Sequence, residues 1–244
     1  MSVERAKRSI LKAITWRVIA TTALFLISYF LLQENVKKAL SVTVAYHALQ
    51  SITYFLHERL WSKIGWGKSK GLFIQLTGLS GAGKSTLSSK VAEQLRSEGY
   101  PVEVIDGDEY RKQLCSDLGF SKKDRNTNIR RLGFVSSVLA RNGVISIIAA
   151  INPYEKTRDQ LKSLGPNVKT VYIKCELDTL FERDTKDLYR RSQLPSTHPD
   201  HISNLTGVSD PFEEPINPDL TIHTDKLSIE DAALKLKRFI KESV

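Results

Sequence analysis

One short segment constrains this chain more than any other stretch. Gly78-Leu79-Ser80-Gly81-Ala82-Gly83-Lys84-Ser85 satisfies the phosphate-binding pattern G-x-x-x-x-G-K-[ST] at every fixed position. The apolar run Leu72–Thr77 before it reads as a buried strand, and Ser85–Arg96 after it as a helix, which is the setting the pattern requires. Glycines there let backbone N–H groups close around phosphate oxygens, and the helix N-terminus adds its positive dipole. Gly78, Leu79, Ser80, Gly81, Ala82, Gly83, Lys84, Ser85 and Thr86 are therefore the candidate ATP-binding residues. Lys84 is positioned to reach the β- and γ-phosphates as a catalytic group, and the Ser85 hydroxyl to hold magnesium. ATP and Mg2+ are the expected cofactors.

Beyond residue 70 strands and helices alternate. Val102–Ile105, Val144–Ala149, Thr170–Lys174 and Leu220–His223 read as strands. Asp124–Arg141, stopped by Asn142-Gly143, and Glu155–Leu164 read as helices, as does the stretch from Ser228 to about Lys241, whose Ser228 caps it. This order predicts an α/β fold, a parallel sheet covered by helices on both faces, across residues 71–244.

Several polar groups fall where such a sheet presents its ligand crevice. Asp106 and Asp108 follow the second strand; Asp106 is a candidate magnesium group, and both are candidates for aligning or deprotonating an acceptor hydroxyl. Arg125 and Asn128 share a helix face, a guanidinium fork beside an amide, which suits an anionic, hydrogen-bonding acceptor. Arg183, Lys186, Arg190 and Arg191 precede a loop with no secondary-structure pattern, where lid arginines neutralise transition-state charge. His198 and His201 in that loop lack the partners a metal site needs. Cys115 and Cys175 are far apart and read as two reduced thiols.

The N-terminal part has a different character. Of the chain's 36 Lys and Arg and 27 Asp and Glu, 11 and 3 lie in residues 1–70, leaving 25 and 24 for the rest. The basic excess flanks two uncharged runs, Val18–Leu32 and Ala39–Leu56, joined by Glu34-Asn35-Val36-Lys37-Lys38. Arg5, Lys7, Arg8, Lys12 and Arg17 lie before them, and Arg59, Lys63, Lys68 and Lys70 after. That pattern suits membrane lipid and not nucleic acid, and no cleavage site marks a signal peptide. Residues 1–66 are thus expected to form a two-helix transmembrane hairpin with both ends, and the remaining domain, on the cytoplasmic side. A helical hairpin docked on a soluble domain is the alternative. The glycine- and lysine-rich Gly65–Gly71 reads as the boundary.

The C-terminal part resembles the adenylylsulfate kinase family from about Leu72 to Asp225. The resemblance is carried by Gly78–Thr86, Asp106–Asp108, Leu114–Ser121, Asp124-Arg125 with Asn128–Arg131, Pro153-Tyr154, and Glu182-Arg183-Asp184 with Lys186. It implies a dimeric α/β fold that phosphorylates the ribose 3′-hydroxyl of adenosine 5′-phosphosulfate (APS). It also implies that Arg111, Phe120, Arg125, Asn128, Ile151 and Lys186 contact that acceptor. Two acceptor positions depart from the family. Asn152 stands where the family has a serine, and Leu205 where it has a phenylalanine that stacks on the acceptor adenine. These leave open a kinase for another nucleotide, such as a cytidine diphosphate derivative, or a membrane regulator that binds nucleotide without turnover. The N-terminal part is also similar to a two-span bacterial membrane domain, on Lys12–Arg17 and Tyr54–Trp61.

Overall fold

The computed structural model describes residues 6–31, 36–64, 70–165 and 167–244. Glu34 and Asn35 of the Glu34–Lys38 link, most of the Gly65–Gly71 boundary with its Lys68, and Arg5 fall outside them. The chain divides into two compact units, a smaller one within residues 4–68 and a larger one covering residues 69–244.

The smaller unit is two helices, α1 (Ala6–Leu31) and α2 (Val36–Lys63). Trp16 packs edge-on against Tyr54 at 4.9 Å, Thr15 Oγ1 lies 2.9 Å from His57 Nε2, and Lys12 pairs with Glu58 at 2.7 Å. Arg8 donates to the carbonyls of Trp61 and Ile64. Numbering falls along α2 as it rises along α1, so the helices are antiparallel. Among the described residues no helix is long and apolar enough to cross a membrane. Arg8, Lys12 and Arg17 occupy the first part of α1, His47 and Gln50 interrupt α2, and each uncharged run falls short of the roughly 20 apolar residues a span needs.

The larger unit carries five parallel strands, β1 (Leu72–Thr77), β2 (Val102–Asp106), β3 (Ile145–Ala149), β4 (Val168–Lys174) and β5 (Leu220–His223), in the order β2-β3-β1-β4-β5. The helices are α3 (Lys84–Ser97), α4 (Gly107–Leu114), α5 (Lys122–Arg141), α6 (Glu155–Lys162), α7 (Leu177–Arg183), α8 (Leu188–Ser192) and α9 (Ile229–Ser243). All six residues of β1 are buried, and their side chains alternate between two faces. Leu72, Ile74 and Leu76 join the core formed with α3 and α9, while Phe73 joins Ile129, Leu132 and Leu161 of α5 and α6. A strand buried on both sides must be apolar almost throughout, which is why β1 is legible as a continuous run.

The register explains where the site lies. Asp106 of β2 and Leu76 of β1 both pair with Ala149 of β3. The chain therefore leaves all three strands at one level, and the loops after them meet where the strand order turns about β1. Thr77 Oγ1 and Gly78 N both donate to the Ile151 carbonyl, at 2.9 and 3.2 Å, tying the glycine loop to the segment after β3.

Candidate active site

The glycine loop joins β1 to α3 in a path only glycine fits at its first position. Gly78 has φ 149°, and a Cβ there would lie 2.3 Å from the Ile173 carbonyl oxygen. Residues outside the motif brace the loop. Tyr189 on α8 donates its hydroxyl to the Ser80 carbonyl at 2.8 Å, and Thr224 after β5 donates to Ala82 O at 3.0 Å. Burial pushes the Tyr189 phenol well above its ordinary value, so it stays a donor. Neither residue carries a sequence signal, because each reaches the loop only through the fold.

Lys84 is buried, with Nζ donating to the carbonyls of Gly78 at 2.9 Å and Leu79 at 2.7 Å. Burial, with Lys186 nearby, lowers its pKa to about 8, against the opposing pull of Asp108 and Asp106. Ser85 Oγ donates to Asp106 Oδ2 at 2.5 Å. A hydroxyl and a carboxylate oxygen side by side are the hard donors magnesium selects, so Ser85 and Asp106 fit that ion. Asp106 has a second task. Its Oδ1 accepts from Asp108 N at 2.9 Å and Glu109 N at 3.3 Å, capping α4.

A cleft of about 520 Å³ runs from this phosphate loop to a second group of side chains. It is lined at one end by Ser80, Gly81, Gly83, Lys84, Ser85, Thr86 and Asp106, and at the other by Asp108, Phe120, Arg125, Ile151, Lys186 and Leu205. Lys186 forms an ion pair with Asp108 across it. Arg111, Asn128 and Asn152 border a smaller adjoining pocket of about 80 Å³, together with Asp108, Phe120, Arg125 and Ile151. Arg125 donates to Phe120 O at 2.9 Å and Asn204 O at 2.6 Å, and pairs with Asp210 at 3.3 Å. Arg111 lies over the Phe120 ring at 4.3 Å. Other groups expected in the site lie apart from it. Arg183 borders neither pocket; it donates to Thr224 O at 2.8 Å and faces Cys175 Sγ at 3.6 Å. In this structure its side chain turns to Thr224, while Thr185, Lys186 and Leu188 of the segment after it line the cleft. Arg190 and Arg191 pair with Asp187 and the Asp200 carbonyl instead. His198 Nδ1 accepts from Asp200 N at 3.1 Å, a local loop contact.

The profile of the adenylylsulphate kinase family matches residues 70–223. The adenylyl-sulfate kinase of Rippkaea orientalis is 42% identical over 175 residues, spanning 72% of this chain and 94% of that protein. That of Chloroflexus aurantiacus is 45% identical over 161 residues, spanning 66% and 84%. The chain belongs to the adenylylsulphate kinase family. A solved structure of the Mycobacterium tuberculosis APS kinase in complex with AMPPNP and APS superposes with a TM-score of 0.64 at 31% identity, covering 71% of this chain and 99% of that one. Residues 10–62 match a second family, described as Predicted membrane protein (DUF2061).

The two departures from the family pattern lie in different surroundings. Leu205 is 6% exposed and packs with the core beneath the cleft. The turn after it presses on the phosphate loop, since a Cβ on Gly207 (φ 89°) would lie 2.4 Å from Leu79 Cδ2. Asn152 is buried at a left-handed φ of 44°, a conformation asparagine tolerates better than most residues.

Proposed function

We propose that this chain transfers the γ-phosphoryl group of ATP to the 3′-hydroxyl of APS. The observation that carries the reading is the continuous cleft, with the phosphate loop at one end and Asp108, Phe120, Arg125, Ile151 and Lys186 at the other. The loop amides and Lys84 hold the triphosphate, and Ser85 with Asp106 hold magnesium, which neutralises charge on the phosphates when bound. Asp108 receives the proton of the acceptor hydroxyl, and Lys186 beside it attracts the acceptor's anionic tail. Arg111, Arg125 and Asn128 orient that tail, while Phe120 and Leu205 cover the base. Arg183 acts through Thr224, which braces the phosphate loop at Ala82. A screen of purified protein with labelled ATP against APS and cytidine nucleotides tests the reading. APS should be the preferred acceptor; faster turnover of a cytidine nucleotide, or ATP binding with no transfer to any of them, would overturn it.

We further propose that the N-terminal hairpin attaches the enzyme to a membrane, with the kinase unit on the cytoplasmic side. The match to a predicted membrane family supports this, as do the exposed Val18, Leu24, Leu26, Val44, Ile52, Phe55 and Leu56 between basic flanks. Apolar burial resists salt, whereas attachment by charge alone does not. Full-length protein should sediment with membranes and stay there at high salt; release by salt would reduce the hairpin to an electrostatic contact. The homodimer implied by the family resemblance is tested by light scattering of detergent-solubilised protein.

A further inference from the structure

Behind the acceptor end of the cleft, α6 carries a guanidinium that meets almost no solvent. Arg158 is 1% exposed and borders neither pocket. Its Nη1 donates to the Asn152 carbonyl at 2.8 Å, and its Nη2 to the Glu213 carbonyl at 2.6 Å. Its Nε donates to Glu155 Oε2 at 2.8 Å, and Nη2 meets that oxygen as well. One guanidinium thus holds three places along the chain: the segment after β3, the first turn of α6, and the approach to β5. Glu213 closes the same knot from outside. Its backbone N–H donates to Pro153 O at 2.9 Å, and its Oε2 accepts from Glu155 N at 2.7 Å.

Residues 204–213 form a strap with no helix and only an isolated bridge between Thr206 and Asp210. Its first residues, Asn204, Leu205 and Thr206, line the cleft. Within the strap, Gly207 N donates to Asp210 O at 2.7 Å and Asp210 N to Leu205 O at 3.0 Å, so this part moves as one turn. Two arginines tie that turn to the rest of the unit. Arg125 holds it at Asn204 O and Asp210, and Arg158 holds it at Glu213 O. Burying a guanidinium is costly, and an apolar side chain of similar size often serves stability as well. What an apolar side chain cannot supply is a planar fork that fixes two carbonyls and a carboxylate in set directions.

We propose that Arg158 is a positioning residue for phosphoryl transfer, locking the strap at Glu213 against the segment after β3. It thereby sets where Arg125 and Leu205 stand relative to Ile151 across the acceptor end, without touching the nucleotide. The glycine loop needs no such tie, because Thr77 and Gly78 hold it to Ile151 directly. The proposal rests on the reading of this cleft as the site for APS.

Two measurements on the full chain test it: amide hydrogen exchange without ligand, and steady-state kinetics, for wild type, Arg158→Met and Glu213→Ala. Methionine fills much of the space of the arginine stem, and Glu155, partly exposed, can then meet water. Glu213 is exposed, so Glu213→Ala loosens the knot from its surface and decides the matter if Arg158→Met is too unstable to purify. Exchange over residues 204–213 should quicken about tenfold in either variant while β1 and α3 keep their protection, because local opening needs only the lost contacts. The KM for APS should rise about three- to tenfold in Glu213→Ala, the worth of one hydrogen bond, and about tenfold or more in Arg158→Met. The KM for ATP should stay within about twofold in both. Unchanged exchange over 204–213 in every variant that folds would overturn the proposal, as would a KM for APS within about twofold of wild type. Equal rises in the KM values for APS and ATP, with exchange quickened in β1 and α3 too, would overturn it as well, because they mark a purely structural residue. If the wild type does not use APS, the acceptor reading fails, whereas the exchange result still decides whether Arg158 holds the strap; the KM comparison then moves to the nucleotide the enzyme does use.

Discussion

At the donor end of the cleft, Lys84, Ser85 and the glycine loop come from one unbroken run, and the Lys84 ammonium is held by carbonyls of that run. At the acceptor end, Asp108, Phe120, Arg125, Ile151, Lys186 and Leu205 are gathered from residues 108 to 205. The first geometry is set by local backbone conformation and tolerates little change. The second depends on how α4, α5, the end of β3 and the segment after α7 pack, so single positions such as 152 and 205 can vary while the cleft persists. Asp106 belongs to both ends, meeting Ser85 with one oxygen and capping α4 with the other.

The sharpest way to break this contrast is to remove the donor end's fixed cation. Lys84→Ala should lower kcat by about two to three orders of magnitude, as losing one preorganised electrostatic group typically does. Its melting temperature should not fall, since the variant no longer buries a charge. Near-normal turnover of that variant would mean that phosphate is held elsewhere.

Asp106 separates the two ends within one residue. Asp106→Asn retains an oxygen that can cap α4, so it should keep its stability and lose about a hundredfold in kcat with the magnesium group. Asp106→Ala should lose the same activity and, in addition, about 1 kcal/mol of stability with the cap. Paired activity and melting measurements read both. Equal melting temperatures for the two variants would show that the Asp106 cap contributes nothing.

A smaller effect follows from the Lys84 pKa of about 8. Burial disfavours the charged amine, so the free enzyme carries the cation below that pH and loses it above. The kcat/KM for ATP should therefore fall as pH rises through about 8, because this ratio reports ionisations of the free enzyme. A profile flat to about pH 9.5 would indicate that Asp106 and Asp108 hold the proton more strongly than burial expels it.

The same contrast explains what can be read in the sequence. The glycine loop, the five strands and α3, α5, α6 and α9 are legible because each is a local pattern of glycine spacing, apolar runs or helical periodicity. Helix α4 is not, since its apolar residues are few and Gly107 opens it. Its signal is an acceptor at Asp106 with Glu109 three residues on, the spacing of a capping box. Helices α7 and α8 are short, and their charged faces resemble a loop. Arg183 is expected among the lid arginines that precede an unpatterned loop; its guanidinium donates to Thr224 O, while Lys186 three residues on lines the cleft. Asp210 and Tyr189 cannot be found from the sequence at all, as their partners Arg125 and Ser80 lie far away along the chain.

The finest test concerns Leu205, where an aromatic residue could sharpen the acceptor end. Stacking adds about 0.5–1.5 kcal/mol beyond area burial, which would lower the KM for APS several-fold if a phenyl ring at this position reached the base unhindered. The surroundings oppose that gain. Leu205 is almost wholly buried, it packs with the core, and the turn that follows already presses Gly207 against Leu79 of the phosphate loop. Forcing extra carbons into such a place costs about 1–3 kcal/mol, which exceeds the stacking term over most of its range. Leu205→Phe should therefore lower the melting temperature by a few degrees, while the KM for APS changes by no more than about threefold in either direction. Because the strain falls on the loop under Leu79, the KM for ATP should rise with it. If the KM for APS instead drops about tenfold with no loss of stability, residue 205 faces the base more openly than its burial indicates, and the acceptor end is the more adaptable of the two by a wider margin.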